Sequence, residues 1–148
     1  MQSLNKQLAK NGFTLIEILV VLGLMAILGS LGLLVSIDFY RSYAFNSERD
    51  VVVSLLQKAR NQSLNNIGQI QHGVHFENGK YVLFQGPGYS SGVSTNQVII
   101  SDSLISNNAA QDVIFSQLSG NTTGQSFTLT DGKRNATIDI NSEGRINW

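Results

Sequence analysis

The sequence predicts an α+β protein in which a long N-terminal helix packs on a small antiparallel β domain. Two observations predict it. Residues 13–37 form an apolar run with one ionisable group, and residues 38–66 continue it with apolar side chains at three- and four-residue steps. From Gly68 onward, apolar and polar residues alternate, which is the period of a β-strand. We therefore expect one helix followed by two small packed sheets, with the helix against one of them.

Composition limits the function. About 110 residues follow the apolar run, enough for one modest core. Lys+Arg 10 and Asp+Glu 10 give a formal net charge of zero, which argues against a general polyanion binder. The absence of cysteine excludes disulfides, thiol catalysis and cysteine-ligated metals.

The apolar run is long enough to cross a membrane. Phe13–Ile37 spans about 37 Å as a helix, against about 30 Å for a hydrocarbon core. Lys6 and Lys10 precede it, and the charges that follow it are of mixed sign. The positive-inside rule therefore predicts a cytoplasmic amino end and an external remainder.

One acid, Glu17, interrupts the apolar run. A carboxylate inside a membrane span costs roughly 2.5–3.5 kcal/mol on insertion scales, so it usually has a partner or a function. No Lys, Arg or His lies within reach on the same helix. A free amino terminus at Phe13, on this chain or on a neighbouring copy, would supply the cation. Alternatively, Glu17 lies near the interface and stays solvated or protonated.

The segment KNGFTLIEILVV, residues 10–21, resembles the prepilin signal of type IV pilins and secretion pseudopilins. The resemblance implies that a membrane-bound prepilin peptidase cleaves after Gly12 and that Phe13 is then N-methylated. It also implies that Glu17 neutralises the amine of an adjacent subunit and sets the axial register of a filament.

The apolar helix departs from many type IV pilins because it has no proline in its second half. Gly23, Gly29 and Gly32 occur there instead. They either weaken the helix locally or allow other helices to approach closely.

The β domain is predicted from short alternating segments. Asn78-Gly79 is a tight-turn signal between two of them. We expect NQVIIS and DVIFSQL to be buried strands, and RINW to direct Ile146 and Trp148 inward. The expected strands, about seven, are residues 69–76, 80–85, 96–101, 112–118, 126–130, 136–140 and 145–148.

Residues 55–84, with the Ala59-Arg60 pair, the helix exit and the following hairpin, resemble the H-type minor pseudopilins of type II secretion and related minor type IV pilins. The late segment SEGRI resembles them too. The resemblance implies a structural subunit, stored in the bacterial inner membrane and assembled with other subunits on an inner-membrane platform.

No enzyme, metal or cofactor site is predicted. His72 lies on the apolar face of its strand and His75 on the other, so the two cannot share a metal. DINSEG, residues 139–144, matches the opening of a calcium loop, but the sequence lacks the distal acid and the segment is expected to be a strand followed by a turn.

A DNA contact is the alternative function. Minor pilins implicated in DNA uptake resemble each other in a terminal G-R-x-R, and this chain has Gly144-Arg145-Ile146-Asn147. Lys133 and Arg134, in a neighbouring turn, would add to Arg145. The other interpretation is that Arg145 is a solvated or paired edge-strand residue.

The sequence thus predicts four segments: a leader, 1–12, a membrane and filament-core helix, 13–37, an amphipathic helix, 38–67, and a β domain, 68–148. The leading hypothesis is a minor pilin or pseudopilin. The alternatives are a tip pilin that binds DNA for uptake, and an uncleaved single-pass membrane protein with an external β domain.

Overall fold

The computed structural model describes the backbone of residues 12–77, 79–107 and 111–148, and the side chains of these residues except 32–35. Lys6, Lys10 and Asn78, on which the predicted orientation and hairpin turn depend, lie outside the described residues. The chain divides into two compact units, Met1–Tyr40 and Arg41–Trp148.

One helix, α1, covers Leu15–Leu64, and a 3-10 turn follows at Ile67–Gln69. The chain leaves α1 through Asn66, whose φ of 54° is left-handed, and its N–H donates to the Ser63 carbonyl at 3.1 Å. Asparagine tolerates this conformation, so the helix ends without a glycine. The eight described strands are β1 His72–Glu77, β2 Lys80–Gln85, β3 Gln97–Ile100, β4 Ser106–Asn107, β5 Gln111–Phe115, β6 Gln125–Thr130, β7 Asn135–Ile140 and β8 Ile146–Asn147.

The strands form two antiparallel four-stranded sheets, ordered β3-β2-β1-β5 and β4-β6-β7-β8. The β1–β2 hairpin pairs Glu77 with Lys80, and Gly79 in its turn has a φ of 87°. In β6 and β7 the alternation is regular, since Phe127 pairs with Ile138 and both are buried. The predicted α+β class and two-sheet architecture are confirmed.

Among the described residues, one hydrophobic core holds together the elements of the Arg41–Trp148 unit. Residues of α1 from Phe45 to Ala59 are buried in it together with residues of both sheets. We expected the helix to pack on one sheet, but it shares its core with two. The aromatic rings of Phe76 and Phe127, one from each sheet, lie 4.6 Å apart between centroids.

Ser63 fixes the end of α1 to the first sheet. Its fully buried Oγ donates to the Phe115 carbonyl at 2.9 Å and accepts from the His72 N–H at 2.8 Å. A hydroxyl at this position satisfies one backbone acceptor and one backbone donor that the core would otherwise leave unpaired.

Three strand predictions were wrong in detail. NQVIIS was expected to be buried, but β3 is an edge strand on which Val98 and Ile100 are exposed. The strand that begins near Asp112 ends at Phe115 rather than at residue 118, because Ser116 turns back to accept from Gly120 N–H. Trp148 is 59% exposed instead of inward.

Glu48 is a charged residue of α1 that is nevertheless buried. Its carboxylate hydrogen-bonds with the side chain of Tyr81, and burial, reinforced by this contact, raises the pKa of the Tyr81 phenol. The helical pattern did not reveal Glu48 because its partner lies on β2, more than thirty residues away in sequence.

Candidate functional site

The first turn of α1 contains a reciprocal pair of contacts. The Glu17 N–H donates to the Thr14 hydroxyl at 3.3 Å, and the Thr14 N–H approaches the Glu17 carboxylate at 3.5 Å. Thr-x-x-Glu with these contacts is a capping box, in which Thr14 is the N-cap and Glu17 the third helical residue. Glu17 therefore has a hydrogen-bond partner in its own chain, and that partner is a threonine instead of a cation.

The capping box holds the Glu17 carboxylate beside the amino end of α1. Of its two oxygens, Oε2 makes the long contact with Thr14, and Oε1 has no hydrogen-bond partner among the described residues. Phe13 is 80% exposed, and a methyl group added to Gly12 would meet no atom of the described residues within 4 Å. Gly12, after which cleavage is predicted, and Glu17 thus lie within about one and a half turns of each other on an exposed part of the chain.

A shallow groove of about 360 Å³ runs along the same turn, and its walls are apolar apart from Glu17. A negative charge at the first turn of a helix is favourable because it faces unsatisfied backbone N–H groups. The arrangement can hold a cation at the amino end while the rest of the surface packs against lipid or other helices. The groove residues are Phe13, Glu17, Ile18, Val21 and Leu22.

By length and composition, α1 is the one helix in the described residues that could cross a membrane, with a mean hydropathy of 2.8 in its most apolar window. The Ser30 hydroxyl donates to the Ile27 carbonyl at 2.8 Å, so its own donor is satisfied within the helix. Within the part of the chain that the structure describes, a methyl group added to Gly23 or Gly29 would meet no atom within 4 Å, which leaves room for a neighbouring helix. The surroundings of Gly32 lie outside the described part of the helix.

The structure places Arg145 on a polar groove of about 320 Å³, beside Arg60 and Asn61 of α1. The Arg145 N–H donates to the Asn141 side chain at 2.7 Å, while its guanidinium is exposed and has no partner in the described part of the chain. Arg60 donates to the Glu143 carbonyl at 3.3 Å. The groove therefore brings two guanidinium groups to one surface.

Lys133 and Arg134 do not join Arg145. They lie in the β6–β7 turn, at the start of β7, whereas Arg145 follows the end of that strand. Six residues of β7 separate them by roughly 20 Å. Arg134 also pairs with Asp131 at 2.8 Å, and backbone hydrogen bonds from Arg134 and Lys133 lower the pKa of the Asp131 carboxyl.

The histidines lie on opposite faces of β1, as the sequence predicted. His72 is 5% exposed, and its Nδ1 is buried without a hydrogen-bond partner. His75 instead contacts Asp112 at 2.6 Å and stacks on Tyr89. Within residues 12–77, 79–107 and 111–148, no cluster of three or more metal-ligating side chains occurs.

The segment 139–144 is the end of β7 followed by a turn, as predicted. The turn is closed by the Asn141 carbonyl, which accepts from the Gly144 N–H at 2.9 Å. Asn141 is therefore occupied in the turn by both its side chain and its backbone.

Sequence reasoning missed two residues of these sites. Thr14 was recoverable, because Thr-x-x-Glu before an apolar run is a capping-box signature. The contact of Arg60 with residue 143 could not have been predicted, because no local pattern joins positions 83 residues apart.

Comparison with protein-family models gives two matches. Residues 8–33 match the prokaryotic N-terminal methylation motif, and residues 33–144 match the type II transport protein GspH. Comparisons with curated proteins and with solved structures found no match. The second family model covers about three quarters of the chain, and both matches agree with the resemblances seen in the sequence. The chain therefore belongs to the GspH family of type II secretion minor pseudopilins, which are structural rather than enzymatic subunits, and it carries the prepilin methylation motif at its N-terminus.

Proposed function

We propose that this pseudopilin is stored in the inner membrane through residues 13–37, cleaved by the prepilin peptidase after Gly12, and N-methylated at Phe13. It then leaves the bilayer on the inner-membrane assembly platform and enters the pseudopilus beside other subunits. Work for extraction comes from a separate cytoplasmic ATPase. The observation that carries the proposal is the first turn of α1, where the capping box fixes the only carboxylate of the apolar run beside the proposed new amine.

Glu17 has two roles in this proposal. In its own chain it completes the capping box, which needs hydrogen bonding but no charge, since glutamine also serves at this position. In the filament its charge neutralises the methylated amine of Phe13 on an adjacent subunit. The free Oε1 and the open groove around Glu17 support the second role, because a cation can approach without breaking the cap.

The two roles separate by mutation. Glu17→Gln keeps the cap and removes the charge, whereas Thr14→Ala removes the cap and keeps the charge; Thr14→Ser is the matched control that retains a capping hydroxyl. Each variant replaces the native chain in a cell with an otherwise intact secretion system, and substrate secretion and the mass of the mature chain are measured. We expect Glu17→Gln to be cleaved and inserted but to lose secretion, and Thr14→Ala to lose less.

The outcome that contradicts the charge role is full secretion from Glu17→Gln with a loss in Thr14→Ala. The processing proposal fails separately if the isolated chain begins anywhere other than at a methylated Phe13. An intact Met1 would support the uncleaved single-pass alternative. For orientation, the Lys6 and Lys10 charges support a cytoplasmic amino end, which protease digestion of the external domain in spheroplasts tests.

A second candidate function, capture of DNA at a filament tip, has one supporting observation. The guanidinium of Arg145 is exposed and without a partner in the described residues, and Arg60 lies on the same groove. Lys133 and Arg134 do not lie on this surface. Their position weakens that candidate, because phosphate binding depends on the number of cations brought together.

A further inference from the structure

Two aromatic residues, Phe39 and Tyr40, lie just beyond the end of the apolar run of α1, after Asp38. Phe39 is 76% exposed and Tyr40 68% exposed, and the Tyr40 hydroxyl has no hydrogen-bond partner within the described ranges. Asp38, one residue before them, is the first charge after Glu17. The aromatic pair therefore stands where the helix changes from apolar to charged.

The length of the helix places this pair at a defined depth. From Phe13 to Phe39 is 26 residues, which span about 39 Å at 1.5 Å per residue. A bilayer is about 30 Å thick in its hydrocarbon core and about 40–45 Å with its headgroups. If the amine of Phe13 lies among the headgroups of one leaflet, Phe39 and Tyr40 lie among those of the other.

Side chains with an apolar ring and a polar edge are enriched at this depth, because the ring enters the acyl boundary while the polar edge reaches water. Tyr40 has both parts, and Phe39 adds apolar area one residue closer to the hydrocarbon. We propose that Phe39 and Tyr40 form an aromatic anchor that binds the lipid headgroup layer at the external end of the span and sets the depth of the stored subunit. The inference rests on the membrane storage proposed above.

Depth-dependent fluorescence quenching tests the anchor. The full chain, with Trp148→Phe to remove its native tryptophan, receives a single new tryptophan at Phe39 or, for reference, at Ile27 in the middle of the span. Each protein is reconstituted into vesicles of phosphatidylethanolamine and phosphatidylglycerol in which one lipid carries bromine near the glycerol or near the end of its acyl chain. Bromine quenches tryptophan most strongly when the two lie at the same depth.

We expect Phe39→Trp to be quenched most strongly by bromine near the glycerol and Ile27→Trp by bromine at the chain ends. If Ile27→Trp is quenched by neither lipid, residues 13–37 do not span the bilayer and the proposed membrane storage itself fails. If Ile27→Trp behaves as expected but Phe39→Trp is unquenched, or is quenched most at the chain ends, the anchor alone is refuted.

The second arm tests whether the pair sets the depth. Phe39→Ala with Tyr40→Ala is combined with Ile27→Trp, and Ile37→Ala is the matched control that removes apolar bulk without removing a ring. In the double variant, we expect the tryptophan introduced by Ile27→Trp to be quenched less by bromine at the chain ends. In the Ile37→Ala control, we expect its quenching to be unchanged. Equal quenching in the double variant and the parent would contradict the anchoring role.

Discussion

Arg60 donates a hydrogen bond from Nη2 to the carbonyl oxygen of Glu143 at 3.3 Å, across 83 residues of sequence. The contact joins the last turns of α1 to the turn that follows β7. Two segments that separately resemble minor pseudopilins, Ala59-Arg60 and SEGRI, are therefore parts of one structural contact. Ala59, the residue before Arg60, is fully buried in the core.

Gly144 sets the geometry of this contact. Its φ is +73°, and a Cβ placed on it would lie 2.0 Å from the carbonyl oxygen of Gly120 and 2.9 Å from Arg60 Nε. We expect Gly144→Ala to lower the free energy of unfolding by about 2–4 kcal/mol, because left-handed strain and overpacking act together. Chemical denaturation of the full chain in detergent measures it.

Gly92→Ala is the matched control for Gly144. Gly92 has a φ of +80°, but a Cβ there would lie within 4 Å of no atom in the described ranges. Its substitution should lower the free energy of unfolding by about 1–2 kcal/mol, from the strain of the left-handed backbone alone. If the two variants are equally stable, the contact with Gly120 and Arg60 is not what requires a glycine at residue 144.

Ser63→Ala should be among the most destabilising single-atom deletions in α1. It leaves the buried Phe115 carbonyl and the His72 N–H without their partner, and each unsatisfied buried group costs about 1–3 kcal/mol. We expect a loss of roughly 2–4 kcal/mol in the same denaturation experiment.

Ser54→Ala is the control for Ser63. Ser54 is exposed on α1, and the one partner of its hydroxyl among the described residues is the Val51 carbonyl of the preceding turn. Its removal should change stability by less than about 0.5 kcal/mol. A Ser63→Ala chain as stable as Ser54→Ala would show that water replaces the hydroxyl at the sheet.

His72 should make the fold sensitive to mild acid. Burial lowers the pKa of its imidazole below the usual value of about 6.5. Above that value both the folded and unfolded chains hold a neutral ring, so the stability is fully present. As the pH falls below it, the unfolded chain binds a proton first, and stability is lost down to the folded pKa.

The measurement is the denaturation midpoint at several values of pH between neutrality and mild acid, for the native chain and for His72→Leu. The variant should lose the part of the pH dependence that lies below the usual histidine pKa. His75→Gln is the control, since His75 lies on the opposite, partly exposed face of β1 and contacts Asp112. If His72→Leu keeps the native pH dependence, the source is another group.

Local patterns predicted the architecture well. The period of apolar residues changes once, from helical to alternating, and this change separates α1 from the sheets. β2 was predicted with its observed ends, Lys80–Gln85, because the Asn78-Gly79 turn signal precedes it and the loop that begins at Gly86 follows it. The exposed β3 edge was mistaken for a buried strand because hydrophobicity does not report whether a sheet continues beyond it.

Polar contacts between distant elements of the chain were harder to predict, for a physical reason. Glu48 with Tyr81, Ser63 with Phe115, and Arg60 with residue 143 are side-chain contacts between elements far apart in sequence. Nothing in a window of a few residues distinguishes these polar groups from solvated ones. Thr14 with Glu17 is the opposite case, because both partners lie in one helical turn and the pattern could have identified them.

The DNA-capture function makes its own prediction about charge. It requires the full chain in detergent to retard duplex DNA at low salt, through the groove that holds Arg60 and Arg145. Arg145→Ala should weaken retardation and reduce the slope of log affinity against log salt by about one, as the loss of one phosphate contact would. Lys133→Ala, roughly 20 Å away along β7, should leave both unchanged. No retardation by the native chain at low salt would remove this function, and equal losses in both variants would assign the binding to net charge instead of to the groove.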